Sequence, residues 1–395
     1  MSYYEFHVAR RYVQFEGALR EFGNYASLVG QKLLILTACD PVREMVESRI
    51  REGLSLPAAA CMNPALAQAS PRYARYVPMA EQFDCRRRDM RFQFYDLGER
   101  PVSEENVRQV AEMARAGGFD TIVGVGGGKG QDFARAVTHF LPVKVILVPT
   151  LCATNASIST LSVLYTPDGK QIQQYWRMDN APDLVLVDTE LLLQNPPSVL
   201  SAGIGDITAT YYEALCNLRM GGNAERLPLF AQEGVALAAR ILRENAPAAL
   251  AAMRAHRANR AFESVLSMIM HNPGPLGMIC LTGYAHIVDE MFLGFDHAHR
   301  IPHGLRVGYA VFAMLAAEEA EESAFAEYLA FCRGAGIPIS LEALGLLGRS
   351  RAEWESAYDN TVGRSGSIHS MPFAADKNSL IQSVLDADAK IRRMQ

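Results

Sequence analysis

The chain has 395 residues and a formal net charge of −5, from 38 basic and 43 acidic side chains. A content of 49% hydrophobic and 21% charged residues is that of a globular protein and excludes a disordered chain. No apolar run approaches the ~20 residues a membrane span needs, and the slightly acidic balance gives no electrostatic case for nucleic acid as a partner. The length suits two domains. The seven cysteines are odd in number and form no C-x-x-C, so neither a disulfide framework nor a Cys-rich zinc module is indicated. A reduced, cytoplasmic setting fits best. The start, MSYYEFHVARR, lacks the apolar stretch of a signal peptide.

The first clear strand covers residues 32–36, an apolar run of the kind buried on both faces of a parallel sheet, and a helix is expected over 42–53. Residues 55–90 are rich in proline and end in Arg86-Arg87-Arg88, which reads as a solvated loop or excursion. Ser103 is the expected N-cap of a helix with Val107, Val110, Ala111 and Ala114 on one face, stopped at Gly117-Gly118. A strand over 121–125, the turn Gly126-Gly127-Gly128, a helix over 129–140 and a strand over 143–148 make a right-handed βαβ unit. Residues 161–166 and 170–176 flank Pro167-Asp168-Gly169 and read as a hairpin, and 183–188 as one more buried strand. Beyond about residue 190 the pattern is all helical, which predicts an α/β domain over 1–190 and a helical domain over 191–395.

Three glycines between a strand and a helix let the backbone approach a ligand closely, and the helix start offers unpaired N–H groups and a positive dipole end to a phosphate. Neither the P-loop nor the Rossmann fingerprint fits, since positions 129, 130 and 131 are Lys, Gly and Gln. Lys129 adds charge beside an anion, and Asp132 can hold the loop. Four of the nine histidines fall at 286, 297, 299 and 303. His286 lies inside a helical pattern and His303 opens the next helix, so two imidazoles can converge on one ion. Asp206 is the best carboxylate to complete a three-ligand site with an open position. His297 and His299 flank a loop and read as surface residues.

Taken in order, Gly126-Gly127-Gly128-Lys129-x-x-Asp132, Val148-Pro149-Thr150-x-x-x-Thr154, Leu161-Ser162-Val163-x-Tyr165, Gly203-x-Gly205-Asp206, Ala285-His286 and His303-Gly304 resemble the metal-dependent polyol and alcohol dehydrogenases. The likeness is to their glycerol dehydrogenase-like branch, itself related to dehydroquinate synthase, and it runs from about residue 100 to 315. The resemblance implies an α/β nucleotide-binding domain with a parallel sheet and an all-α metal-binding domain, in the dehydroquinate synthase-like architecture. It implies NAD(H) in the cleft with its pyrophosphate on the glycine turn, and a divalent metal, zinc or alternatively iron, on the positions of Asp206, His286 and His303. Thr150 and Thr154 match the loop that lines the cofactor. Ser159, Leu161 and Tyr165 match the segment beside the nicotinamide. A homo-oligomer and a small alcohol, polyol or carbonyl substrate are also implied.

Two positions depart from the branch. Asp289 stands where a second histidine commonly follows the first, so a proton relay there would use Asp289 or water. Asn155 replaces an acid placed near the polyol hydroxyls; being uncharged and able to donate as well as accept, it points away from glycerol itself. Asp40, after the first strand, is the candidate to bind the ribose 2′-hydroxyl, which favours NAD over NADP. Two further readings stay open: a dehydroquinate synthase-like lyase or isomerase, and a nucleotide-binding paralogue without turnover.

Overall fold

The computed structural model describes residues 8–38, 41–179, 181–220, 228–271, 283–363 and 376–394. These fall into two compact units, residues 8–151 with 156–194 and residues 152–155 with 195–394. Among the described residues no helix is long and apolar enough to cross a membrane.

The first unit is built on a six-stranded, fully parallel sheet. Its strands are β1 (Tyr12–Phe15), β2 (Lys32–Ala38), β3 (Arg91–Asp96), β4 (Thr121–Gly126), β5 (Lys144–Pro149) and β8 (Leu184–Asp188), in the order β1-β8-β5-β4-β2-β3. A separate antiparallel hairpin pairs β6 (Leu161–Tyr165) with β7 (Ile172–Arg177). Successive side chains of a strand point to opposite faces. Leu33, Ile35, Val123, Val125, Ile146 and Val148 therefore face one way, onto Phe22, Tyr25 and Ile50. Leu34, Leu36, Ile122, Val145 and Leu147 face the other, onto Val107, Val110, Ala111 and Phe133. Burial on both faces is why these central strands read as unbroken apolar runs. The edge strands β1 and β3 are half exposed and carry no such run, and the sequence reading missed both.

The helix expected after Ser103 is present as Glu104–Gly117, with Ser103 Oγ accepting from the Asn106 N–H and Gly118 closing it in the left-handed region at φ 65°. Residues 55–90, for which the sequence pattern gives no clear element, are largely helical. Pro57, Pro64, Pro71 and Pro78 each stand at the start of a short helical segment: Ala58–Cys61, Pro64–Ala69, Pro71–Ala74 and the 3-10 turn Val77–Met79. Proline lacks an N–H and has a preset φ, so it opens a helical turn readily but cannot continue one. The Arg86–Arg88 run is likewise not wholly solvated. It ends the helix Ala80–Arg87, and Arg87 turns inward to donate to Gly53 O (2.9 Å), Leu56 O (2.6 Å) and Asn24 Oδ1 (2.9 Å).

Asp188 and Glu21 are buried carboxylates whose hydrogen bonds bear on the stability of this unit. Asp188, fully buried at the end of β8, accepts from the N–H groups of Gly17 and Leu19 (3.0 Å each) and of Glu190 (3.0 Å), tying the chain after β1 to the helix start after β8. Asp188→Ala leaves these buried donors without a partner and is expected to cost about 3 kcal/mol, read from the shift in urea unfolding midpoint. A midpoint within experimental error of the parent would contradict this role. Glu21 accepts from the Tyr73 hydroxyl, and burial pushes its carboxyl up to about 7 against these hydrogen bonds. A raised carboxyl pKa means the native state binds the extra proton. Stability from this group is then greatest below about pH 4.5 and falls as pH rises to about 7. Glu21→Gln is expected to be more stable than the parent by about 3 kcal/mol at pH 8, with the gain absent at pH 4. Equal gains at both pH values would refute it.

The second unit contains, among its described residues, the helices Pro197–Met220, Leu229–Arg254, Arg260–Met270, Tyr284–Phe292, His303–Ala317, Glu322–Ala335, Arg351–Asn360 and Lys377–Met394. The loop residues 152–155 belong with them.

Candidate nucleotide turn and metal centre

The glycine turn lies where β4 meets the helix Gly128–Ala136. Gly126 has φ 158°, and a Cβ there would come within 2.5 Å of the Ala38 carbonyl oxygen at the end of β2, so only glycine fits. The Thr150 N–H donates to Gly126 O at 3.1 Å, which places Thr150 beside the turn. Gly127 caps the helix, and the first intrahelical bond runs from the Gln131 N–H to Gly127 O. The amides of Gly128, Lys129 and Gly130 precede it and have no intrahelical acceptor. Gln131 donates from Nε2 to Gly126 O (3.1 Å), while its Oε1 is buried without a partner. An open row of N–H groups beside an orphaned acceptor suits a ligand that carries both phosphate and hydroxyl groups.

Asp132 is committed to holding structure. Its carboxylate accepts from Arg135 Nη1 (2.7 Å) and from the Val163 N–H (3.3 Å), and Arg135 also donates to Leu161 O and Ala156 O. This buried pair fixes residues 156–163 against the glycine helix. Ser159 Oγ accepts from the Leu161 N–H (2.9 Å) and sets the turn into β6, where Tyr165 is half-buried. Asp40 lies outside the described residues.

In the helical unit, Asp206, His286 and His303 come together. Asp206 lies on the Pro197–Met220 helix, His286 on Tyr284–Phe292, and His303 opens His303–Ala317. Glycines permit the approach. A Cβ on Gly205 would lie 2.1 Å from Gly304 O, and one on Gly304 would lie 1.8 Å from Ala202 O. The first and third of these helices therefore cross backbone to backbone, with Asp206 and His303 next to the crossing. Gly203 packs in the same way on Cys152 O (2.1 Å), which brings the loop of half-buried Thr154 and Asn155 alongside.

Both imidazoles turn Nε2 toward Asp206 Oδ1, at 3.7 Å for His286 and 3.6 Å for His303. One ligand atom from each of the three residues lies within 4.8 Å of the others. Ligand atoms around a tetrahedral ion with bonds of about 2.1 Å stand roughly 3.4 Å apart, so the spacing fits a zinc- or iron-sized cation. Each Nδ1 is held by an outer carboxylate. Glu213 meets His286 Nδ1 (2.8 Å) and accepts from the His286 backbone N–H (2.9 Å); Asp289 Oδ2 meets His303 Nδ1 (2.7 Å). Arg306 donates from Nε to Asp289 Oδ1 (2.7 Å). Asp206, Glu213, Asp289 and Arg306 are all buried.

Burial alone would raise the Asp206 carboxyl, but hydrogen bonds from the two histidines outweigh it and hold it well below the usual range. Burial would lower both imidazoles. The Glu213 charge and the bond to Asp206 instead push His286 up to about 10, and the Asp289 charge with the same acceptor pushes His303 up to about 9. Three carboxylates and one guanidinium leave two negative charges, which two imidazolium protons or one divalent cation can balance. The donor set therefore fits such an ion.

His297 and His299 are exposed on the 3-10 turn Asp296–Arg300, which joins two of this cluster's helices, and neither belongs to the three-residue group, as their loop position suggested. Glu213 and Arg306 were missed in the sequence. Their signal was spacing: Glu213 follows Asp206 by two helical turns, and Arg306 follows His303 by one, each a charge on an otherwise apolar helix face.

A glycine turn at the end of a central strand of a parallel sheet, and three side chains on helices that could hold a cation, are the features expected of a nucleotide- and metal-dependent enzyme. Residues 78–189 match the iron-containing alcohol dehydrogenase family. A glycerol dehydrogenase of Escherichia coli O6:H1 is 31% identical over 287 residues, covering 72% of this chain and 77% of that protein. A glycolaldehyde reductase of Halobacterium salinarum is 28% identical over 390 residues, 97% of each chain. The solved glycerol dehydrogenase from Schizosaccharomyces pombe shares the fold, with a TM-score of 0.82 at 22% identity, over 100% of this chain and 93% of that one. The chain belongs to the iron-containing alcohol dehydrogenase family, in its glycerol dehydrogenase-like branch, and is a metal-dependent alcohol/polyol oxidoreductase; use of NAD follows from that membership.

Proposed function

We propose that this enzyme interconverts a small diol and its hydroxyaldehyde or hydroxyketone with NAD(H), on a zinc ion held by Asp206, His286 and His303. The convergence of these three side chains carries the reading. The substrate class rests on two supports. In sequence, a glycolaldehyde reductase matches over 97% of both chains, whereas the Escherichia coli glycerol dehydrogenase matches over 72% of this chain. Asn155, uncharged, stands where the branch commonly places an acid. Its amide can donate to one substrate oxygen and accept from a neighbouring hydroxyl.

When bound, the metal supplies a Lewis acid that lowers the pKa of a substrate hydroxyl or polarises a carbonyl, and the nicotinamide carries the hydride. The chain's own residues provide position and field. The amides at 128–130 and Lys129 hold the pyrophosphate on a helix N-terminus. Thr150 and Thr154 line the cofactor, and Ser159, Leu161 and Tyr165 flank its nicotinamide end. Asp132 keeps that segment in place through Arg135. Asp40 binds the ribose and favours NAD. Residues 1–190 thus serve the nucleotide and 191–395 the metal and substrate. Among the described residues Cys61, Cys85, Cys152, Cys216 and Cys332 are free thiols, which suits a reducing cytoplasm. A homo-oligomer is the expected assembly.

The test is a zinc-loaded activity screen over diols, hydroxy acids and aldehydes with NAD and NADP. Highest kcat/KM is expected on a two- or three-carbon diol with NAD+, or on the matching hydroxyaldehyde with NADH. Preference for glycerol over every such compound would overturn the substrate assignment.

A further inference from the structure

We propose that Asp289 and Arg306 form a positioning pair that aims the His303 imidazole at Asp206, and that position 289 supplies orientation and not a proton relay. The proposal rests on the metal-site reading above and assigns two residues to it.

The two histidines are held differently. His286 is gripped by Glu213 at two points, its backbone N–H and Nδ1, and its side chain is 11% exposed. His303 is the first residue of its helix, its side chain is 41% exposed, and its Nδ1 is held by Asp289. The orientation of His303 then depends on how firmly Asp289 is fixed. Arg306 grips both oxygens, from Nε to Oδ1 at 2.7 Å and from Nη2 to Oδ2 at 3.2 Å. Its Nη1 donates to Ala298 O (3.0 Å) and to Ile301 O. The guanidinium is thereby anchored to the turn that leads into His303, and the carboxylate cannot rotate. With Nδ1 bound to Asp289, the ring must present Nε2 to Asp206. A hydrogen-bonded carboxylate behind a ligating imidazole fixes the ring and strengthens it as a donor.

A relay would need an Asp289 oxygen free for substrate or water. Both oxygens already accept hydrogen bonds, and the side chain is 5% exposed. A histidine at this position would offer the guanidinium one acceptor nitrogen at most, so the Asp–Arg pair is a matched set.

The test compares the parent, Asp289→Asn, and the double variant Asp289→Asn with Arg306→Met. Readouts are Zn²⁺ affinity by chelator competition and the visible spectrum of the Co²⁺-loaded protein. Asn alone leaves a buried guanidinium without its counter-charge, which can loosen the fold; the double variant removes that charge. Zn²⁺ affinity is expected to fall about 10- to 100-fold in both variants, with altered Co²⁺ bands. Recovery of parental affinity in the double variant would show that the loss came from the unpaired arginine, and would overturn the proposal. Unchanged affinity in Asp289→Asn would overturn it too. Failure of the parent itself to take up either ion would instead overturn the metal reading beneath it.

Discussion

His303→Ala is expected to lose divalent-metal retention and at least about a thousand-fold in turnover, with its unfolding midpoint close to the parent's. The rate loss follows from removing several kcal/mol of transition-state charge stabilisation, at about 1.4 kcal/mol per factor of ten. The fold survives because nothing buried is left unpaired. Asp289 keeps Arg306, and Asp206 keeps His286. His286→Ala should lose the same activity and also stability, about 1–3 kcal/mol, since buried Glu213 loses its bond to the imidazole while keeping the backbone N–H at 286. The pair of variants separates ligation from folding. Metal content per protomer, kcat and the unfolding midpoint are measured on each. Full metal occupancy in His303→Ala would remove it from the ligand set.

Gly304→Ala is expected to damage the same site without touching a ligand. The new methyl carbon would lie 1.8 Å from the Ala202 carbonyl oxygen, a backbone atom that cannot swing aside. The helices Pro197–Met220 and His303–Ala317 must part, and the 3.6 Å approach of His303 to Asp206 goes with them. A stability loss of about 3 kcal/mol and loss of metal retention are expected, the upper range for overpacking. Gly334→Ala is the control. It lies inside a helix, and its added Cβ would sit 3.5 Å from Pro247 Cγ, an ordinary contact. There the change should be neutral or stabilising by up to about 1 kcal/mol. Equal effects at 304 and 334 would mean the crossing does not depend on close backbone contact.

What the sequence made legible follows from burial. Strands covered on both faces, such as Leu184–Asp188, announce themselves as apolar runs, and the capped helix Glu104–Gly117 carries its start and stop in Ser103 and Gly118. Edge strands Tyr12–Phe15 and Arg91–Asp96 do not, because they are half exposed and carry no apolar run. Residues 55–90 were obscured by prolines that signal loops when counted but helix starts when placed. Asp206, His286 and His303 could be picked out by residue type and position. Glu213 and Arg306 stand at helical spacing from Asp206 and His303, but that spacing declares its purpose only when the partners, His286 and Asp289, are known. Gly205 and Gly304 appeared in the motif, but the reason for them is a helix crossing that no local pattern encodes.

The central claim is that turnover depends on a divalent ion at Asp206, His286 and His303. Stripping the purified enzyme with a chelator, assaying NADH oxidation with a small hydroxyaldehyde, and adding back Zn²⁺ or Fe²⁺ tests it directly when run beside Asp206→Asn. The parent should lose its activity on stripping and regain it with metal, while Asp206→Asn should regain none. Undiminished turnover in the metal-free parent, or full restoration in Asp206→Asn, would contradict the claim.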